Sequence, residues 1–254
     1  LLAGAPGDDD GPGVGSDNRG AAWVLFLNAN GTLKSVQKIS ATQGGFTGLP
    51  PQRAEFGDAV AALGDVDGDG VGDVAVGASS EDDGGIDRGA VYLLFLQRDG
   101  TVKAHTKISS STGFAGLVNG GRFGGSVAGP GDLDGDGVRE LVVGGWGLTN
   151  DIVRVLFLNA DGSVKGHVRI GNGEGGFAGL LAPFDLFGQS LAVLGDLDGD
   201  GVTDLGVGAR GDDDGGRQHG AAWLLRLDGL ACLDFSSADD VERSPLVNGR
   251  AVTS

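Results

Sequence analysis

Three copies of Asp-x-Asp-Gly-Asp-Gly, at residues 65–70, 132–137 and 196–201, constrain this chain more than any other feature. Each copy has a further carboxylate three positions beyond its second glycine: Asp73, Glu140 and Asp204. Side-chain oxygens at positions one, three, five and nine of such a loop can converge on one hard cation. The position-six glycine permits the sharp turn, and the position-seven carbonyl adds a ligand. The expected Ca²⁺ ligands are Asp65, Asp67, Asp69, Val71 and Asp73 in the first loop, and Asp132, Asp134, Asp136, Val138 and Glu140 in the second. In the third they are Asp196, Asp198, Asp200, Val202 and Asp204. A single such loop reads equally well as a solvated acidic turn. Three in register, each followed by an apolar strand-like run, point to three calcium sites.

The loops belong to a longer repeat, and a repeat decides the architecture before single residues do. Phe56-Gly57, Phe123-Gly124 and Phe187-Gly188 lie 67 and 64 residues apart and open the same order of parts. A short apolar segment comes first (59–63, 126–128, 190–194). The acidic loop follows, then a strand ending in Gly-Ala or Gly-Gly (74–78, 141–145, 205–209). A polar Asp/Gly turn leads to a longer strand (90–96, 152–158, 221–227). Asp99-Gly100 and Asp161-Gly162, with Asn30-Gly31 in an incomplete first copy, are hairpin turns between apolar runs. A fourth strand is expected at 33–39, 102–108 and 164–170. A linker carrying Gly-Phe-x-Gly-Leu (45–49, 113–117, 176–180) then leads into the next copy.

Four antiparallel strands in a unit of about 65 residues is the pattern of a propeller blade. The expected fold is therefore all-β, a β-propeller with a partial blade at 1–55 and full blades at 56–122, 123–186 and 187–230. Residues 231–254 leave the repeat and read either as an outer strand or as the start of another domain. The 52 glycines serve the many tight turns this requires.

A net charge of −17 argues against nucleic-acid partners and against anionic membranes. Three Ca²⁺ ions would bring that charge to about −11, so the acidity partly anticipates the metal. One cysteine, Cys232, excludes an intramolecular disulfide. No apolar run approaches the roughly 20 residues of a membrane span, and no signal peptide is visible. The chain lacks methionine and starts in mid-pattern at Leu1, so it reads as a segment of a longer protein.

These residues resemble the FG-GAP repeat family, found in the β-propeller of integrin α subunits and in many bacterial surface proteins. The family pattern of Phe-Gly, Asp-x-Asp-x-Asp-Gly-x-x-Asp and Gly-Ala-Pro reads here as Phe56-Gly57, Asp65 to Asp73 and Gly77-Ala78-Ser79. It reads again as Phe187-Gly188, Asp196 to Asp204 and Gly208-Ala209-Arg210, and Gly4-Ala5-Pro6 is the one intact Gly-Ala-Pro. The resemblance, over about residues 1–230, implies a propeller with calcium in the hairpins between the first and second strands, and extracellular adhesion or assembly. The second loop departs from the pattern at Glu140, Gly144-Gly145-Trp146 and Arg154, the last in the column of Trp23, Tyr92 and Trp223. Family propellers usually have seven blades, more than this chain supplies.

Other features have plainer readings. Asp8-Asp9-Asp10, Glu81-Asp82-Asp83 and Asp212-Asp213-Asp214 follow the Gly-Ala position without alternate spacing, as solvated turns do. His105 and His167 recur through repeat inheritance, and the Trp23 column reads as core between sheets. No catalytic residue and no organic cofactor site is assigned. The functional expectation is a non-enzymatic, calcium-binding adhesion or scaffold module outside the cell or at its surface. Its partner would be a protein or glycan ligand, or copies of itself in a homo-oligomer or filament, with no membrane insertion. The alternatives are a lectin-like recognition propeller and an accessory domain of a larger extracellular enzyme.

Overall fold

The computed structural model describes residues 1–10, 17–48, 50–147, 152–213 and 219–227, and the backbone of Arg250–Val252. Leu49, Asp214, Cys232 and most of the 231–254 segment lie outside the described residues. The described strands form four antiparallel sheets. The first holds β1 (Leu2–Ala5), β2 (Ala21–Leu27) and β3 (Leu33–Ser40); the second holds β4 (Val60–Gly64), β5 (Asp73–Ala78), β6 (Ala90–Leu96) and β7 (Val102–Ile108). The third holds β8 (Ser126–Gly131), β9 (Glu140–Gly145), β10 (Ile152–Leu158) and β11 (Val164–Ile170). The fourth holds β12 (Phe187–Gly195), β13 (Asp204–Ala209), β14 (Ala221–Leu225) and β15 (Arg250–Val252). The fold is all-β and its sheets are propeller blades. Among the described residues no helix is long and apolar enough to cross a membrane.

Several boundaries differ from expectation: β8 runs on to Gly131 and β12 already starts at Phe187. The second strand of each full blade starts one residue early, on the position-nine carboxylate itself, and the third strand of the last blade stops at Leu225. In the tail, β15 pairs with β14 and sets Arg250 opposite Leu224, at the outer edge of the fourth sheet.

The Asx-Gly hairpins form as their chemistry requires. Gly31, Gly100 and Gly162 take φ of 81°, 85° and 76°, a region that costs glycine little. Asn30, Asp99 and Asp161 accept the backbone N–H two residues on, from Thr32, Thr101 and Ser163. Beside each turn the ladder slips by one residue, at Phe26/Leu27, Phe95/Leu96 and Phe157/Leu158. This is the bulge of a longer hairpin loop.

Strand periodicity explains the packing. Because alternate side chains face opposite ways, Tyr92, Leu94 and Leu96 of β6 pack towards the first blade, while Val91, Leu93 and Phe95 pack towards the third. In β10, Val153, Val155 and Phe157 join the core shared with the fourth blade, and Leu156 and Leu158 the core shared with the second. The middle strands β6 and β10 are thus buried on both faces.

The linker motif closes each core. Phe46 stacks on Phe56 with ring centroids 5.1 Å apart and meets Tyr92 edge-on. Phe114 stacks on Phe123 at 5.4 Å, and Phe177 contacts Phe187 and Trp223 at 5.1 and 4.8 Å. The Trp23 column is therefore core in the second and fourth blades, where Tyr92 and Trp223 are buried. In the third blade Arg154 takes that place, with its guanidinium over the Phe123 ring and Nη2 donating to the Gly116 carbonyl at 3.0 Å.

His167 lies beside this substitution, 5.0 Å from the Phe114 ring. Burial holds its pKa below the usual imidazole value, and the Arg154 and Arg169 charges push the same way. Between that lowered value and about 6.5 the unfolded chain binds a proton that the folded chain refuses, so stability falls as pH drops through about 6.5. We expect His167→Phe to flatten the decline in Tm between about pH 7 and about pH 5. An unchanged slope would assign the decline to other groups.

Candidate metal centres

Each acidic loop is the hairpin between the first and second strands of its blade: β4–β5, β8–β9 and β12–β13. In the first loop the Asp65 carboxylate is its internal hub. It accepts N–H groups from Gly68 (2.8 Å), Asp69 (3.1 Å) and Gly70 (2.8 Å). Asp132 and Asp196 do the same with Gly135 and Gly137, and with Gly199, Asp200 and Gly201. The Gly201 and Gly199 amides hold the Asp196 pKa below the usual carboxylate range, since they favour the charged form.

Carboxylate oxygens of Asp65, Asp67 and Asp73 lie within 4.8 Å of one another, as do those of Asp132, Asp134 and Asp136 and those of Asp196, Asp198 and Asp204. Asp69, Asp200 and Glu140 stand outside these groupings. Asp69, Asp136 and Asp200 accept the position-seven amides of Val71, Val138 and Val202, each at 2.8 Å, which orients those three valines.

The position-nine carboxylate has a second role that spacing does not reveal. Buried Asp73 accepts the Val66 N–H of its own loop through Oδ2 (2.9 Å) and the Leu96 N–H of β6 through Oδ1 (3.0 Å). Asp204 repeats this with Leu197 (2.9 Å) and with Leu227 (3.0 Å). Asp73 clamps its acidic loop to the third strand, and Asp204 clamps its own to the chain just past the end of β14. Burial raises the Asp73 pKa against these two amides.

Glu140, one methylene longer, keeps only half of this clamp. Its Oε2 accepts the Leu133 N–H at 2.6 Å, while Oε1 is buried with no hydrogen-bond partner. Burial pushes its pKa up to about 8, with the Leu133 amide opposing and the Asp134 and Asp132 charges adding to the rise. A buried carboxylate oxygen without a partner, beside two further carboxylates, suits a divalent cation. The residues of these loops fit such an ion.

Two cations escaped the sequence reading. Lys103 of β7 pairs with Asp67 Oδ2 at 2.7 Å and with Asp69, and Lys165 of β11 pairs with Asp134 at 2.8 Å and with Asp136. Lys103 holds the Asp69 pKa low, with the Val71 amide helping. Asp136 is also low, because Lys165 and the Val138 amide outweigh its partial burial. The signal was a second column of charge at four-residue spacing on the fourth strand: Lys34 and Lys38, Lys103 and Lys107, Lys165 and Arg169. A separation of four places both residues on one face of a strand.

The second member of that column corrects the reading of the other acidic series as solvated turns. Lys107 bridges Glu81 and Asp83 (2.6 Å to the latter), and Lys38 bridges Asp8 (2.8 Å) and Asp10. Glu81 is buried and accepts the Tyr92 hydroxyl at 3.0 Å; Ser109 and Ser111 donate to Asp83. Asp212 is buried too. The first two of these turns are drawn in because the fourth strand brings a lysine beneath them, so their charge is offset locally.

Residues 56–94 match the FG-GAP repeat. The chain is 36% identical to human "Integrin alpha-E" over 129 residues, 49% of this chain and 10% of that protein. It is 34% identical to Drosophila melanogaster "Integrin alpha-PS5" over 161 residues, 61% of this chain and 15% of the other. Against Xenopus laevis "Integrin alpha-5" it is 31% identical over 209 residues, 79% of this chain and 18% of the other. The chain spans less than a fifth of the length of these relatives. The matched repeat carries the first acidic loop and its Phe-Gly, and the similarity to integrin alpha proteins runs through most of the chain; the protein carries an FG-GAP repeat and is similar to integrin alpha proteins.

Proposed function

We propose that this protein is an extracellular, calcium-binding adhesion module in which Ca²⁺ stiffens three propeller hairpins, and that it works without catalysis. The observation carrying this reading is the triple acidic hairpin, each copy closed by a buried position-nine carboxylate, with one oxygen of Glu140 left for an ion. Kinship with integrin alpha proteins supports a place outside the cell and a protein or glycan ligand. The calcium ligands proposed are the five residues of each loop named above.

A second reading, assembly through copies of itself, is favoured by one comparison. The blade face formed by Tyr92, Leu94, Leu96 and Val102 is buried against the preceding blade. Its counterpart on the first blade leaves Leu27, Leu33 and Val36 exposed, at 45%, 53% and 45%. At the other end, Val193 and Leu224 are exposed on the last blade. Faces of this kind fit head to tail, the geometry of rings and filaments.

One experiment addresses both readings: thermal unfolding and light scattering in millimolar Ca²⁺ and in excess chelator. Three sites at tenfold excess of ion over Kd contribute about 4 kcal/mol, so chelation should lower Tm by about 10 °C. An unchanged Tm removes calcium from the account. Assembly predicts a particle larger than one chain in calcium, and a monomer in both buffers excludes it.

A further inference from the structure

We infer that Lys103 and Lys165 are tethered cations that compete with a divalent ion for their own loops, so that the third loop loads first. The inference rests on the calcium reading above. Each ammonium group lies on the carboxylates of loop positions three and five, Asp67 with Asp69 and Asp134 with Asp136. Those oxygens belong to the set an ion would use, so an ion entering either loop must first separate two ion pairs. Both lysines are fixed in place by the ladder: β7 and β11 pair with β6 and β10, and the bulge of each hairpin lies beside Lys103 and Lys165. A cation anchored this way acts at high effective concentration without leaving the chain. Its flexible four-carbon stem still lets it swing out to water when displaced.

The third loop differs. Among the described residues its one cation contact is Arg226, whose Nε is 3.9 Å from Asp198, beyond hydrogen-bond reach, on a side chain 58% exposed. Among the described residues, and in the absence of metal, the Asp196, Asp198 and Asp204 charges therefore lack the close cation that the other two loops possess. A divalent ion relieves more repulsion there and displaces less.

The amides of Gly70, Gly137 and Gly201 hydrogen-bond to the position-one carboxylates at 2.8, 2.9 and 2.9 Å, so each reports on its own loop. We would titrate Ca²⁺ into the whole chain and follow these three resonances by nitrogen–proton correlation spectroscopy. Gly201 should shift at the lowest calcium concentration. Lys103→Met, which keeps the apolar stem, should move the Gly70 midpoint about tenfold lower and leave Gly137 and Gly201 where they were. Lys165→Met should do the same for Gly137 alone. Simultaneous titration of all three glycines, or a weaker Gly70 site in Lys103→Met, overturns the inference while leaving calcium binding intact. If no glycine shifts, calcium binding itself fails and the inference with it.

Discussion

Gly77→Ala will force the second and third blades apart. A Cβ at Gly77 would overlap the carbonyl oxygen of Gly124, which belongs to the Phe-Gly pair opening the next blade. The same approach occurs between Gly4 and Gly57 and between Gly144 and Gly188. The two halves of the repeat signature are thus two sides of one contact: the glycine of Gly-Ala makes room for the Phe-Gly of the following blade. The Gly124 N–H reaches the Gly144 carbonyl and the Gly57 N–H reaches the Gly77 carbonyl, so Phe-Gly backbone is fixed within its own sheet and has little freedom to retreat. Backbone meeting backbone in a filled interface costs about 3 kcal/mol, a Tm drop on the order of 10 °C at this size. Gly72→Ala is the control, since a Cβ there approaches only the Gly64 Cα at 4.0 Å. It should change stability by less than about 1 kcal/mol. Similar Tm values for the two variants would show that the blades slide easily over this contact.

Asp73→Ala should be nearly as damaging, and damaging even in chelator. The substitution strands the Val66 and Leu96 amides in a buried site, each costing about 1–3 kcal/mol. It also frees the acidic loop from β6. Asp67→Ala separates this role from ion binding. Asp67 is more accessible than Asp73 and its salt bridge is with Lys103, a pair of small worth at the surface. That variant should keep the Tm of the metal-free protein and lose part of the gain from calcium. If Asp73→Ala lowered Tm only when calcium was present, position nine would be a ligand and nothing more.

The contrast between Asp73 and Glu140 shows how far the sequence could be followed. Loop spacing placed both at position nine as expected ligands and marked Glu140 only as a departure from the pattern. In the fold, Asp73 divides its two oxygens between two amides, whereas Glu140 satisfies one and leaves the other bare. One methylene decides whether the carboxylate clamps two strands or is left wanting a cation. No rule of spacing carries that difference, because it depends on where Leu96 and its counterparts in the other blades arrive in space.

Glu81 makes the same point. As part of a short acidic run it reads as a wet turn, yet it is buried against Lys107 and Tyr92, twenty-six and eleven residues away. The sequence held a clue in the four-residue spacing of fourth-strand cations. It could not say which acidic cluster each cation would meet.

What the sequence determined by itself is the local and the periodic. Alternating apolar residues, Asx-Gly turns and a repeated acidic loop establish the strands, the hairpins and the four-sheet order, because each follows from backbone sterics and period-two side-chain placement within a few residues. The tertiary structure decided what lies across a sheet or between blades. It made Gly77 and Gly124 partners, set Lys103 and Lys165 on the acidic loops, and turned Asp73 into a clamp. The physical reason is range: a hydrogen bond or an ion pair depends on distances of about 3 Å, and residues far apart in the chain reach such distances only after the blades have packed.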